Sequence, residues 1–314
     1  MKGLKTLILL SFLISLYACN GQAQKHRVLV STDIGGSDPD DFQSLIHLFL
    51  YADTLDIVGL VSSPPYKGRK SDILKMIDIY EKDFSLLGQN YPTPAYLRSI
   101  TAQGATEAQL EVIPSSESNE GVQLIIKEAL KENERPLYVL VWGSITDLAL
   151  ALHQAPEIKR NMRVYSIGSW NTFQDSLARN YIYDNHPDLW WVENNTTFRG
   201  MYMGGYKDGN YGNESFVEAN VKPYGAMGEF FFAQKADIKM GDTPSVLYLL
   251  NGDPANPESE SWGGQFQKTS HGSNYWTDIQ DESLKVNGRS GAKTVNKWRK
   301  QYLDDWSKRM KLLE

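Results

Sequence analysis

Four carboxylates fall within nine residues in Ser31-Thr32-Asp33-Ile34-Gly35-Gly36-Ser37-Asp38-Pro39-Asp40-Asp41. Acids crowded this closely repel one another unless a cation or a polar ligand offsets the charge. The apolar run Val28-Leu29-Val30 precedes them and reads as a strand, while the glycines permit a tight turn. That places the acids at a strand's C-terminal end, where open α/β sheets bind ligands. Asp38-Pro39 also has the form of a helix start, with an acid as N-cap and proline at the first helical position. Capping accounts for Asp38 but not for Asp33 or the Asp40-Asp41 pair, which are therefore candidates for metal or substrate binding.

The elements that must position these groups alternate. Ile57 to Val61, Leu137 to Val141 and Val164 to Ile167 repeat the short apolar, β-branched pattern of Val28 to Val30. Such runs suit a parallel sheet covered on both faces. Helical periods lie between them: Phe42, Leu45, Ile46 and Phe49; Ile73, Met76, Ile77 and Tyr80; Val122, Ile125, Ile126 and Ala129; Ile145, Leu148, Ala149 and Leu152. The fold class is α/β, a mostly parallel sheet flanked by helices, with the loops after each strand opening on one edge. Residues 85–118 and 171–239 lack a clear period and read as inserted loops and short elements around that edge. Val295, Trp298, Tyr302, Trp306, Met310 and Leu313 mark a C-terminal helix packed on the body.

Composition narrows the classes. The chain has 314 residues, 41% of them hydrophobic, and no low-complexity segment, so it is a folded globular protein. Lys2 and Lys5 precede the apolar run Leu7 to Leu16, the shape of an export signal. Residues 1–23 are expected to be a signal peptide, or residues 1–18 with Cys19 as a lipidated residue, leaving 24–314 as one domain. Without residues 1–23 there are 30 basic and 38 acidic residues, a net charge of −8. No concentrated basic face is evident, so nucleic acid is excluded as a partner. A periplasmic or membrane-anchored location is expected, with contact to a membrane only through the lipid. Cys19 is the sole cysteine, which excludes disulfides and a thiol nucleophile in the mature chain.

These residues resemble the nucleoside hydrolase superfamily. The strand followed by Thr32-Asp33, glycine and Asp40-Asp41 looks like its calcium-binding signature. Gly143-Ser144-Ile145-Thr146-Asp147-Leu148-Ala149-Leu150 is similar to its Gly-Pro-Leu-Thr-Asn segment, and Gly241-Asp242-Thr243-Pro244 stands where it has His-Asp-Pro. Order and spacing hold from about residue 26 to about residue 250. The resemblance is closer to a divergent exported branch, the nucleoside-hydrolase-like domain of bacterial proteins labelled cellulose-binding. It rests there on the acidic loop, Gly168-Ser169-Trp170-Asn171, Thr197-Phe198-Arg199-Gly200, Gly241-Asp242-Thr243-Pro244 and Trp262-Gly263-Gly264. Members often carry a further β domain, and this chain resembles the hydrolase-like domain alone.

The resemblance implies that Asp33, Asp41, Asp242 and the carbonyl of Thr146 hold Ca²⁺, and that Asp33 is also the base that activates water. Asp40 and Asn180 would then hydrogen-bond a sugar. Asn171 joins them as a substrate-binding candidate, and Trp170 and Trp262, flanked by small residues, could stack on a sugar or base. His271 is the one histidine in a site-like loop, whereas His47 and His153 fall on helix patterns and His186 is expected to open a helix near Trp190 and Trp191. Asp242 alternatively caps a helix beginning at Pro244. Three departures from nucleoside hydrolases stand out: three extra residues lie between Asp33 and the Asp pair, Ser62 or Ser63 replaces an Asn, and Gly241 replaces the His that acts as a leaving-group acid in some members. Two functions are expected on these grounds: a calcium-dependent hydrolase of an N-glycosidic or related glycosidic bond, or a carbohydrate-binding protein on the same fold. The partner is a small nucleoside or saccharide, with a homo-oligomer left open.

Overall fold

The computed structural model describes residues 24–35, 38–65, 69–108 and 118–314. The expected signal segment, Cys19 included, lies outside the described residues.

Continuously apolar strands form the middle of one sheet. In chain order the elements are β1 (His26–Thr32), α1 (Asp40–Leu50), β2 (Leu55–Ser62), α2 (Lys70–Asp83), α3 (Pro94–Ser99), β3 (Thr101–Gln103), α4 (Glu120–Leu130), β4 (Leu137–Val141), α5 (Thr146–Gln154), β5 (Met162–Ile167), α6 (Trp170–Gln174) and α7 (Ser176–Asn185). There follow β6 (Trp191–Asn194), α8 (Asn213–Asn220), α9 (Gly225–Gln234), α10 (Thr243–Leu250), β7 (Phe266–Lys268), β8 (Tyr275–Asp278), α11 (Ala292–Asn296) and α12 (Arg299–Met310). The eight strands lie in the order β3-β2-β1-β4-β5-β6-β8-β7, and only β7 runs antiparallel to its neighbour.

Alternation along β1 divides the core. Val28 and Val30 face a cluster built with α1, α2, α10 and α12, whereas Leu29 faces one built with α4, α5 and α7. In α1 every residue from Asp41 to Leu50 is buried, which makes it the central helix of its layer. The chain lays β2 and β3 on one side of β1 and returns with β4 on the other, so the strand order switches direction beside β1. Crevices at the carboxyl end of such a switch are where these sheets take ligands.

Several expectations are corrected. Residues 171–239 are more regular than their composition suggests, since they carry α6, α7, β6, α8 and α9. His186 follows α7 rather than opening a helix, and Trp191 belongs to β6. Asp38 is not a cap: α1 begins at Asp40 without a side-chain cap, and the exposed Asp38 carboxylate pairs with Lys239 Nζ at 3.4 Å. No helix among the described residues is long and apolar enough to cross a membrane.

Candidate functional site

A cavity of about 250 Å³ opens at the carboxyl edge beside β1. Asp33, Asp38, Asp40 and Asp41 enter it from the β1–α1 connection, Trp142 from the end of β4, and Ser169, Trp170 and Asn171 from the end of β5. Phe198, Arg199 and Tyr202 come from the segment after β6, while Lys239 and Asp242 come from the approach to α10.

Each acid is held by its own local structure. Asp41 accepts from the Thr32 hydroxyl, whose oxygen in turn accepts from the Ile34 N–H at 3.2 Å. Asp40 and Asp41 occupy the first turn of α1, where the helix dipole favours negative charge. Asp33 packs so closely on the β4–α5 connection that a methyl at Gly143 would sit 2.6 Å from its Cβ. Asp242 precedes α10 but spends no carboxylate oxygen on capping, and its buried Oδ2 has no hydrogen-bond partner.

Two side chains brace this arrangement. Buried Gln43 on α1 donates to the carbonyls of Lys235 and Asp237 and accepts from the Lys239 N–H at 2.8 Å. Trp142 Nε1 donates to Ser245 Oγ at 2.7 Å, and that hydroxyl donates to the Asp242 carbonyl at 2.7 Å. Segments about 100 to 200 residues apart in the chain are thereby fixed against each other.

Burial and mutual repulsion dominate the electrostatics. Burial, and then the charge on Asp40, pushes the Asp33 carboxyl up to about 7. Asp40, Asp41 and Asp242 are raised well above the usual carboxylate range, first by burial and then by a neighbouring acid, Asp41 for Asp40, Asp33 for Asp41 and Asp40 for Asp242. Carboxylate oxygens of Asp40, Asp41 and Asp242 lie within 4.8 Å of one another, and the Asp33 carboxyl adjoins that of Asp41. The donor set is all oxygen and includes one orphaned buried oxygen, which fits a hard cation.

The structure thus brings together Asp33, Asp40, Asp41, Asp242, Trp170 and Asn171 and leaves four expected residues elsewhere. Thr146 is the first residue of α5, with its buried hydroxyl donating to Asp175 at 2.7 Å, and it does not line the cavity, whereas Trp142 from the same connection does. Asn180 is exposed on α7 and accepts from Arg179. Trp262 lines a separate cavity with His26 and Leu55, at the opposite strand ends. His271 stacks on Tyr183 at 3.5 Å between ring centroids, and its Nε2 lies 2.9 Å from the Tyr183 carbonyl. His47 is buried, and burial pushes it down to about 3.

Ser169, Arg199, Tyr202 and Lys239 were not evident from residue pattern as cavity residues. The segment Thr197–Met201 follows β6, so the same position after a strand that marks the other loops would have pointed to Arg199.

A parallel sheet with its acidic cavity at the topological switch defines a protein of the nucleoside-hydrolase-like fold. The chain belongs to the family described as Cellulose-binding Sde182, nucleoside hydrolase-like domain, whose model matches residues 27–266. It is similar to a nucleoside hydrolase-related hypothetical protein from Saccharophagus degradans that is associated with carbohydrate metabolism. That match has 24% identity and a TM-score of 0.71 and covers 93% of this chain and 72% of the other. It is similar as well to the type III effector protein XopQ complexed with adenosine diphosphate ribose, at 12% identity and TM-score 0.59, covering 93% and 94% of the two chains. A purine-preferring ribonucleoside hydrolase from Gardnerella vaginalis matches at 14% identity and TM-score 0.52, covering 90% and 99%. These identities show a shared fold. No curated protein matches the chain.

Proposed function

We propose that the protein is an exported, calcium-dependent hydrolase of an N-glycosidic or related glycosidic bond. The observation that carries this is the convergence of Asp33, Asp40, Asp41 and Asp242 on one sugar-sized cavity, with Asp242 Oδ2 buried and unpaired.

Asp41 and Asp242 would hold the ion with Asp33, with a backbone carbonyl of the β4–α5 connection, from Thr146 or from Trp142, which lines the cavity, completing the set. When bound, the cation lowers the pKa of a coordinated water and gathers the sugar hydroxyls. Asp33 stands at the strand end as the base that takes the water's proton. Asp40 accepts from a sugar hydroxyl. Asn171 donates its Nδ2 hydrogens to the carbonyls of Trp142 and Ile167, at 2.8 and 3.1 Å, so its side-chain carbonyl is left to accept from the substrate. Gly241 offers no proton to the leaving group. Tyr202 and Lys239 are the donors that line the cavity in its place. The family's cellulose-binding description supports an extracellular setting, reached through residues 1–23 or a lipid on Cys19.

A second reading, carbohydrate binding without turnover, is favoured by Gly241 and by the stacked pair Trp170 and Phe173, exposed at 55% and 71% beside the cavity. Assays of nucleosides and aryl glycosides, with and without Ca²⁺, separate the two. Hydrolysis predicts a Ca²⁺-dependent rate that Asp33→Ala lowers by about 10²–10⁴-fold. Absence of turnover with retained oligosaccharide binding selects the second reading.

A further inference from the structure

Arg199 brings a positive charge into the cavity wall without an acid to meet it. Its Nη1 donates to the Asn195 carbonyl at 2.9 Å and its Nη2 to Ser169 Oγ at 3.0 Å. Both partners are neutral, and among the described residues no carboxylate pairs with it. Arg179 and Arg27 are matched by Glu193 at 2.6 Å and Glu128 at 3.2 Å, while fully buried Arg299 spends its hydrogens on Tyr211, Met201 and Asn213 in the core; Arg199 differs from all three in facing the cavity. A partly buried cation served only by neutral acceptors keeps much of its desolvation cost. Burial accordingly holds Arg199 below the ordinary arginine value.

Ser169 supplies a second, independent sign. It is a non-glycine residue at φ 61°, ψ −110°, a conformation that L-residues rarely adopt, and its N–H is fixed to Asn195 Oδ1 at 2.9 Å. Such strain concentrates at ligand clamps. Having accepted from Arg199, the Ser169 hydroxyl still has its hydrogen to donate. Lys239 adds a further cation, with Nζ 5.0 Å from the Tyr202 ring centroid, and the Tyr202 hydroxyl feels the charge of both Lys239 and Arg199. The cavity therefore has an acidic zone at the β1–α1 end, where Lys239 pairs with Asp38, and a basic spot at Arg199 and Ser169 across from it.

We propose that the cavity takes a sugar carrying an anionic substituent, a phosphate or a carboxylate, gripped by the Arg199 fork and the Ser169 hydroxyl. This rests on the cavity being a sugar site and does not require turnover.

Calorimetric titration of the full chain in Ca²⁺ buffer tests it with two probe pairs: adenosine monophosphate against adenosine, and para-nitrophenyl glucuronide against para-nitrophenyl glucoside. In at least one pair the charged member should bind about tenfold tighter or more, as charge-assisted hydrogen bonds allow. Preference in the first pair identifies phosphate as the group, and preference in the second identifies carboxylate. Arg199→Gln should bring the ratio to within about twofold, and Arg199→Lys, which keeps charge but loses the fork, should leave an intermediate ratio. Ser169→Ala supplies the same comparison should Arg199→Gln fail to fold. Equal binding within both pairs overturns the proposal. So does a preference that survives in Arg199→Gln, since the anion would then be read by the cation at the aspartates. Loss of the hydrolase reading shows separately, as a charged preference without turnover, whereas turnover of adenosine with no charged preference sinks only this proposal.

Discussion

Stripping the protein of divalent cations should make its stability fall as pH rises from 5 to 8, and restoring Ca²⁺ should reverse most of that fall. Asp33 is raised from 3.8 to about 7 by burial and the neighbouring Asp40. A carboxyl with a raised folded-state pKa stabilises the fold fully below its unfolded value and loses that contribution as pH climbs through the folded value. At about 1.36 kcal/mol per pKa unit, the part lost by Asp33 between pH 5 and 8 is about 3 kcal/mol. For a chain of this length that lowers Tm by about 5 °C. Asp40, Asp41 and Asp242 are shifted in the same direction and steepen the slope. Asp147, raised to about 6, and Asp175, raised to about 7, add a part that no cation at the cluster can reverse, because both are buried in the core beside α5. Thermal melts in chelator and in Ca²⁺ across this range measure both parts. Asp242→Asn should flatten the chelator curve and remove the Ca²⁺ response. The reasoning is refuted if the melting point in chelator is level or rises from pH 5 to 8, or if Ca²⁺ stabilises wild type and Asp242→Asn alike.

Three further substitutions probe the supports of the site. Gly143→Ala places a methyl 2.6 Å from Asp33 Cβ and should cost about 1–3 kcal/mol in a denaturant titration, with a weaker Ca²⁺-induced rise in Tm. Thr32→Val keeps the shape but removes the hydroxyl that Asp41 accepts from, and should lower stability by about 1–2 kcal/mol and weaken Ca²⁺ binding by calorimetry. Trp170→Ala, at a residue 55% exposed, should change Tm little yet weaken binding of an aryl glycoside measured by tryptophan-independent calorimetry.

How much of this was legible depends on how each element is stabilised. β1, β2, β4 and β5 are buried on both faces, so their apolar runs announce them, and α1 shows its period for the same reason. β6 ends in Glu193 and Asn194, which are buried only because Arg179 and Phe198 supply partners from elsewhere, and nothing local in Trp191–Asn194 signals a strand. With β6 unseen, Arg199 and Tyr202 had no strand end to mark them. The acidic loop was plain because its chemistry is local in sequence. Asp242 stood out only through its resemblance to a known motif, and the same resemblance pointed to Thr146, whereas Trp142 is the residue of that connection which lines the cavity. Trp262 and His271 illustrate the opposite limit: an aromatic or histidine flanked by small residues looks available until its packing partners, Gln301 and Tyr183, are known.

The Gln43 clamp has a consequence for how this scaffold can vary. Its three hydrogen bonds fasten the chain at Lys235, Asp237 and Lys239 just before Asp242. The excursion that leaves β6 and carries Arg199 and Tyr202 therefore returns to a fixed anchor on the same helix that presents Asp40 and Asp41. Between the two, Phe216, Met227 and Phe231 are buried in the core, whereas residues 205–210 are exposed and can be exchanged without detuning the aspartates. One jaw of the site is cast with the core, and the other is moored to it at both ends, leaving only its exposed stretch to be refitted to a new ligand.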